Sequence, residues 1–379
     1  HEVLFRRWNS NYAAPIAAGS WTFTIESGVL TKARYWPRSD SEIWVDFTIL
    51  PADIVQMSVR IYGGWPLWRR QVPLRPAELL SLPLDSIMSR VSKVLPLGLF
   101  TVYTDDYGPI RDLDASIRRY LPLHYREDGA VDFDGRAVFI ANGLPQEGRS
   151  GLNCSGFAKW IVDGVLAGFG KPATRIDELK KAPIGRGHSF SDALEASHEP
   201  WFGLDWTRNL AIAGAMASDP SGRVPHLTEY EIGVAPFALL DRDLFAGPSR
   251  DTSLDPWPWP GFYTDSGFPL EGLAALMYIF SVQDSSSFYL VSMNNTPKGE
   301  QQRRHSHVAV LVPWFTERGA FRISVFESGT ASDFASFIRR HQGWNAYLTR
   351  VPVPPRFEPS YGHDMLVPGS GLWRGGINR

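Results

Sequence analysis

The chain holds a single cysteine, Cys154, set in Gly151-Leu-Asn-Cys-Ser-Gly-Phe157. Two glycines flank it in a tight loop, and Phe157, Trp160, Ile161 and Val165 then follow at the spacing of one helix face. A thiolate attacks a carbonyl carbon far better than a thiol, so an enzyme that uses cysteine must lower its pKa. A helix N-terminus does this through its partial positive charge, and a neighbouring imidazolium does it directly. The alternative for a lone cysteine is an inert buried thiol. Such a thiol more often lies mid-element on an apolar face than between Asn153 and Ser155 at a helix start.

The imidazolium must come from elsewhere among nine histidines. His307 opens the alternating run His307-Val-Ala-Val-Leu-Val312, where a strand start beside a polar loop can hold a side chain at the mouth of a site. His305 lies two residues earlier, on the same expected face, and is the rival base. His124, His188, His198, His226, His341 and His363 stand in loops or helix ends without such context. A base also needs a group to orient its second ring nitrogen. Residues 321–328 read as the returning strand of a hairpin through the turn 316–319, which places Glu327 opposite His307. The alternatives are a solvated histidine at a loop–strand junction and a strand-end carboxylate in water. His305 and His307 could chelate one ion, but no third ligand lies at a useful spacing. No metal and no cofactor is therefore expected.

The elements that must position these groups are legible in outline. Residues 20–110 read as β-rich, with strands at 20–26, 42–50 and 55–62, a helix at 80–94 and a last strand at 99–104. Pro37, Pro51, Gly63-Gly64 and Pro66 punctuate them. We expect 1–110 to form a small β-sandwich or barrel without catalytic groups, used for docking or for walling a cleft. The catalytic domain is expected over 111–379, with a helical start at 111–120, a helix at 270–280, strands at 288–293, 307–312, 321–327 and 346–353, and a helix at 334–341. Between them, 170–268 reads as a loop-rich insertion, and Asp255-Pro-Trp-Pro-Trp-Pro260 within it can be neither helix nor central strand. A long loop-rich segment is seldom idle. Ser155 beside the nucleophile and Asp205, Arg208 and Asp265 in the insertion are expected at substrate subsites. Arg208 could grip a carboxylate bidentately, or serve in a structural ion pair.

Composition bounds the rest. With 379 residues the chain has room for two domains, and 44% hydrophobic with 21% charged residues is the balance of a folded protein. A net charge of −2 supplies no global field for nucleic acid or an anionic membrane. Neither a signal-peptide pattern nor an apolar run of about 18 residues is read in it. One cysteine excludes an intrachain disulfide but leaves the compartment open.

Three motifs in order resemble the NlpC/P60 cysteine peptidases. Leu152-Asn-Cys-Ser-Gly-Phe-Ala158 is similar to that family's Asp-Cys-Ser-Gly nucleophile motif, Ser306-His-Val-Ala-Val-Leu-Val312 to its His-Val-Gly-Ile strand, and Phe288-Tyr-Leu-Val291 to the strand before it. Phe326-Glu-Ser-Gly329 falls where the family places its third polar residue, commonly His, Asn or Gln. The resemblance spans roughly 140–168 and 270–355, about a third of the chain. It implies an α+β papain-like core, with the Cys helix packed on an antiparallel sheet, and hydrolysis of amide bonds in the peptide stems of peptidoglycan. It also implies export to the cell envelope. The chain departs from the pattern at Asn153, in place of Asp, and at Glu327. The family's Tyr-Val-Trp-Gly-Gly segment is echoed only by Phe139-Ile-Ala-Asn-Gly143, which has no phenol.

Overall fold

The computed structural model describes residues 2–5, 17–62, 66–92, 97–182, 200–226, 229, 266–299 and 303–359. The architecture is mixed α+β with antiparallel sheets. The chain divides into two compact units, one of 1–103 with 237–261 and 272–283, the other of 104–236 with 262–271 and 284–379.

The first unit is built on an up-and-down sheet of β1 (Glu2–Phe5), β2 (Ser20–Glu26), β3 (Val29–Trp36), β4 (Ile43–Leu50), β5 (Ile54–Ile61) and β6 (Pro66–Val72), each paired with the next. Among the described residues β1 and β6 do not pair, so the sheet is open and the expected barrel is not closed, nor is there a second sheet to make a sandwich. Three of its strands, β1, β3 and β6, escape the sequence pattern. The β3 strand carries Lys32 and Arg34 on the face opposite Ala33 and Tyr35, and both cations contact the buried Asp46 carboxylate of β4. The β6 strand begins at a proline, which an edge strand tolerates. Alternation holds in β4 and β5, where Ile43, Val45 and Phe47 pair with Ile61, Val59 and Met57 on the buried face. The helix expected at 80–94 is two short helices, α1 (Pro76–Ser81) and α2 (Leu84–Val91), because Pro83 interrupts it. The strand expected at 99–104 is replaced by single 3-10 turns at Leu97–Phe100 and Thr104–Tyr107.

The second unit contains α3 (Gly108–Arg118), the hairpin β7 (Gly129–Val131) and β8 (Ala137–Phe139), α4 (Cys154–Gly168), α5 (Ile176–Leu179), α6 (Phe202–Ser218) and β9 (Phe268–Pro269). The following helix, α7 (Leu273–Gln283), is assigned to the first unit. Then come β10 (Ser287–Asn295), β11 (Arg304–Phe315), β12 (Phe321–Glu327), β13 (Thr330–Ser332), α8 (Phe334–Arg340) and β14 (Asn345–Pro352). The sheet order is β13-β12-β11-β10-β14-β9. Its central β10 is buried over eight successive residues, as a strand covered on both faces must be.

Two expectations are corrected here. The α4 helix is not amphipathic but buried from Ser155 through Leu166, Lys159 and Asp163 included. A charge is tolerated there because Lys159 Nζ lies 2.5 Å from Asp163, whose other oxygen accepts the Thr174 N–H and hydroxyl, both at 2.8 Å. And 170–268 is not loop throughout, since α6 runs for 17 residues and packs against α4, β10, β11 and β14. Its pattern reads weakly because buried residues surround much of its circumference, leaving no clean polar face. Asp255–Pro260 lies outside the described residues. No described helix is long and apolar enough to cross a membrane.

Candidate active site

Cys154 is the first residue of α4. Asn153 caps the helix, its side-chain oxygen accepting the Gly156 N–H at 2.8 Å, a role Asn and Asp perform alike. Gly156 is required by packing. A Cβ there would stand 2.0 Å from the Gly129 carbonyl oxygen, which accepts the Asn153 N–H at 3.0 Å. The loop before the cysteine is fastened to 124–126, with the Leu152 N–H donating to His124 at 2.9 Å and the Arg126 N–H donating to Leu152 at 3.2 Å. The Asn153 cap and the helix ladder satisfy the N–H groups of Gly156 and Phe157. Those of Cys154 and Ser155 stand ahead of the ladder, directed out of the helix start.

The structure brings His307 to the thiol and Glu327 to His307. The Cys154 sulfur lies beside the His307 ring and the backbone N–H of Val308, close enough for both to act on its ionisation, and the Ser155 hydroxyl lies 3.9 Å away. His307 Nε2 is 2.9 Å from Glu327 Oε2, which leaves the other ring nitrogen for the sulfur. Glu327 Oε1 accepts the Ser332 hydroxyl at 2.7 Å and is paired with Arg340. Burial by itself raises the Cys154 pKa, but the His307 hydrogen bond and charge, with the Val308 N–H, bring it below the ordinary thiol value. Burial lowers that of His307, and the bonds to Cys154 and Glu327 outweigh it and raise it to about 9. Glu327 is held down at about 2, since His307, Ser332 and Arg340 outweigh the cost of burying its charge. Both shifts run in the direction of a thiolate–imidazolium pair.

His305 does not share this face of chemistry. A β-bulge shifts the register between Met293 and Asn294, so that His307 pairs with Met293 and His305 with Asn294. His305 is buried, its Nδ1 2.7 Å from the Ser292 hydroxyl and its ring stacked on Trp201 at 5.2 Å.

Three of the four residues expected at subsites are buried. Asp205 and Arg208 are both 4% exposed within α6. Arg208 donates to the Tyr347 hydroxyl at 3.1 Å and lies over the ring of the same residue at 5.0 Å. It is thus part of the packing of α6 on β14, not a solvent-facing carboxylate receptor. Ser155 is buried as well, and its carbonyl accepts the Trp206 indole N–H at 2.9 Å. Asp265 lies outside the described residues.

Two residues join the site that the sequence reading passed over. Tyr125 is exposed and bonded to Glu127 at 2.5 Å, and its pKa is raised to about 12 by that bond, by partial burial and by the charges of Glu127 and Cys154. A phenol therefore stands within the electrostatic reach of the thiolate. The signal for it is Leu152, whose bridge partner is Tyr125, a pairing without local periodicity. His341 follows α8, with its ring centroid 5.2 Å from that of His307 and 20° between the planes. Its Nδ1–H donates to the Phe337 carbonyl at 3.0 Å.

No protein-family model, curated protein or solved structure matches the chain.

Proposed function

We propose that this protein is a cysteine hydrolase that cleaves amide bonds, with Cys154 as nucleophile, His307 as acid and base and Glu327 as the orienting residue. The observation that carries the reading is the continuous chain from the α4 N-terminus through His307 to Glu327, Ser332 and Arg340. The thiolate attacks the carbonyl carbon, forming a carbon–sulfur bond as the carbonyl electrons move to oxygen. The Cys154 backbone N–H, free of the helix ladder, is positioned to receive that oxyanion. His307 then gives its proton to the departing amine, and the carbon–nitrogen bond breaks. A water, losing its proton to the neutral imidazole, cleaves the thioester and restores the pair.

The resemblance to NlpC/P60 peptidases points to the peptide stems of peptidoglycan as the substrate and to the cell envelope as the place of action. Purified full chain and Cys154→Ala protein should be incubated with free stem peptides and with intact sacculi, and new amino termini followed by mass spectrometry. Release by the native chain alone supports the reading. Absence of release from both, with tight retention of the fragments, favours a non-catalytic module that binds cell-wall pieces. Turnover of simple amides or thioesters but not stem peptides keeps the chemistry and moves the substrate.

A further inference from the structure

His307, Glu327 and His341 each offer one ligand atom, and these three atoms all lie within 4.8 Å of one another. Two imidazoles and a carboxylate form a donor set of the zinc class. Three further features prepare them as ligands. The Nδ1–H of His341 is committed to the Phe337 carbonyl, which fixes the tautomer whose Nε2 carries the lone pair, the outer-shell arrangement of a metal-binding histidine. Ser332 and Arg340 hold Glu327 by Oε1, leaving Oε2 on the side of His307. The two ring centroids are 5.2 Å apart, and two imidazoles sharing one tetrahedral ion at the usual Zn–N length have centroids about 5 Å apart. Side-chain torsions need to close the ligand atoms to the roughly 3.3 Å that such an ion imposes.

We propose that these residues form a binding site for a zinc-class divalent cation, and that the bound ion holds the hydrolase off. Bonds form from the ion to Nε2 of His341, Nε2 of His307 and Oε2 of Glu327, with water in the fourth position. The proton shared by His307 Nε2 and Glu327 leaves to solvent, so charge and atoms balance. The metal-bound His307 keeps one N–H toward Cys154, but it has left the imidazolium state from which it would protonate a departing amine. Arg340, on the far oxygen of Glu327, opposes the incoming cation and makes the site a weak, reversible one. The binding half stands by itself. The inhibitory half rests on the hydrolase reading.

The test is calorimetric titration of the full chain with zinc chloride, beside amide turnover with and without zinc. Native protein and Cys154→Ala should each bind one equivalent at this site. His341→Phe and His341→Asn, each checked for a native melting transition, should lose that equivalent or weaken it at least about 10-fold. Zinc should abolish native turnover, and a chelator should restore it. Binding that vanishes in Cys154→Ala but persists in both His341 variants would show capture by the thiolate and overturn the site. Full turnover at saturating zinc would overturn the inhibitory role. Absence of turnover without zinc would instead count against the hydrolase reading, while the titration still decides the binding.

Discussion

Glu327 stands diagonal to His307 across the β11–β12 hairpin, not opposite it. Val310 pairs with Phe326, and extending that register sets Glu327 against Ala309. His307 is two residues from Ala309, on the same face, and a carboxylate as long as Glu's covers the diagonal to bond at 2.9 Å. A shorter acid here would not reach, and the turn Ser328-Gly329 that ends the strand keeps Glu327 at its rim, with Gly329 in the left-handed region.

Thiol reactivity tests the pair first. Alkylation of Cys154 by iodoacetamide should titrate with a midpoint below the free-thiol value of about 8.5. His307→Ala should move the midpoint up and slow the reaction at neutral pH by about 10-fold. His305→Ala should leave it near native, because His305 is engaged by Ser292 and Trp201. Equal effects of the two substitutions would remove His307 from its assigned role.

Turnover should depend on pH with two limbs. It rises as Cys154 ionises, below the ordinary thiol range, and falls as His307 loses its proton near its raised pKa of about 9. Glu327→Gln keeps the shape but removes the charge that helps raise His307, so the alkaline limb should move down toward 6.5. The maximal rate should drop about 100-fold. A profile unchanged by Glu327→Gln would show that the carboxylate does not act through the ring.

The same groups tie stability to pH. The His307 pKa is raised on folding, so its contribution is present below 6.5 and disappears as pH rises through about 9. That of Glu327 is depressed, so its contribution is present above 4.5 and disappears as pH falls through about 2. Thermal melting across pH 2–10 should show losses in both windows, and Glu327→Gln should flatten the acidic one.

Lys159 and Asp163 make a fully buried ion pair within α4. Lys159→Met leaves Asp163 with its Thr174 bonds but no counter-charge, and should cost about 3 kcal/mol in urea unfolding. The double change to apolar residues should cost less than the two single changes together. Strict additivity would mean that the two charges are not coupled.

Arg208 separates packing from substrate recognition. Arg208→Ala should destabilise the chain by about 2 kcal/mol, through the lost Tyr347 bond and contact. On the hydrolase reading, the KM of the folded variant should stay unchanged. A rise in KM with little loss of stability would return Arg208 to the substrate subsites.

The sequence by itself determined what depends on near neighbours. The helix start at Cys154 follows from Asn153, the glycines and the apolar spacing, and β10, β11, β12 and β14 from runs of β-branched and aromatic residues between turn residues. The candidate dyad of Cys154 and His307 was legible because Cys154 begins a strongly patterned helix and His307 precedes the apolar run 308–312 of its strand. Other features were decided only by tertiary structure. The bulge that sends His305 into the core depends on a pairing partner, Met293 to Asn294, that local periodicity does not encode. Tyr125 and His341 reach the site through a bridge and a helix end remote in sequence, and nothing in their own flanks marks them. Arg208, expected at a substrate subsite or in an ion pair, and Lys159 are buried once helices and sheet close around them, because a charge pattern records residue type and not what packs against it. Periodicity specifies which way a side chain points from its own element. Which groups meet is settled when elements far apart in the chain pack together.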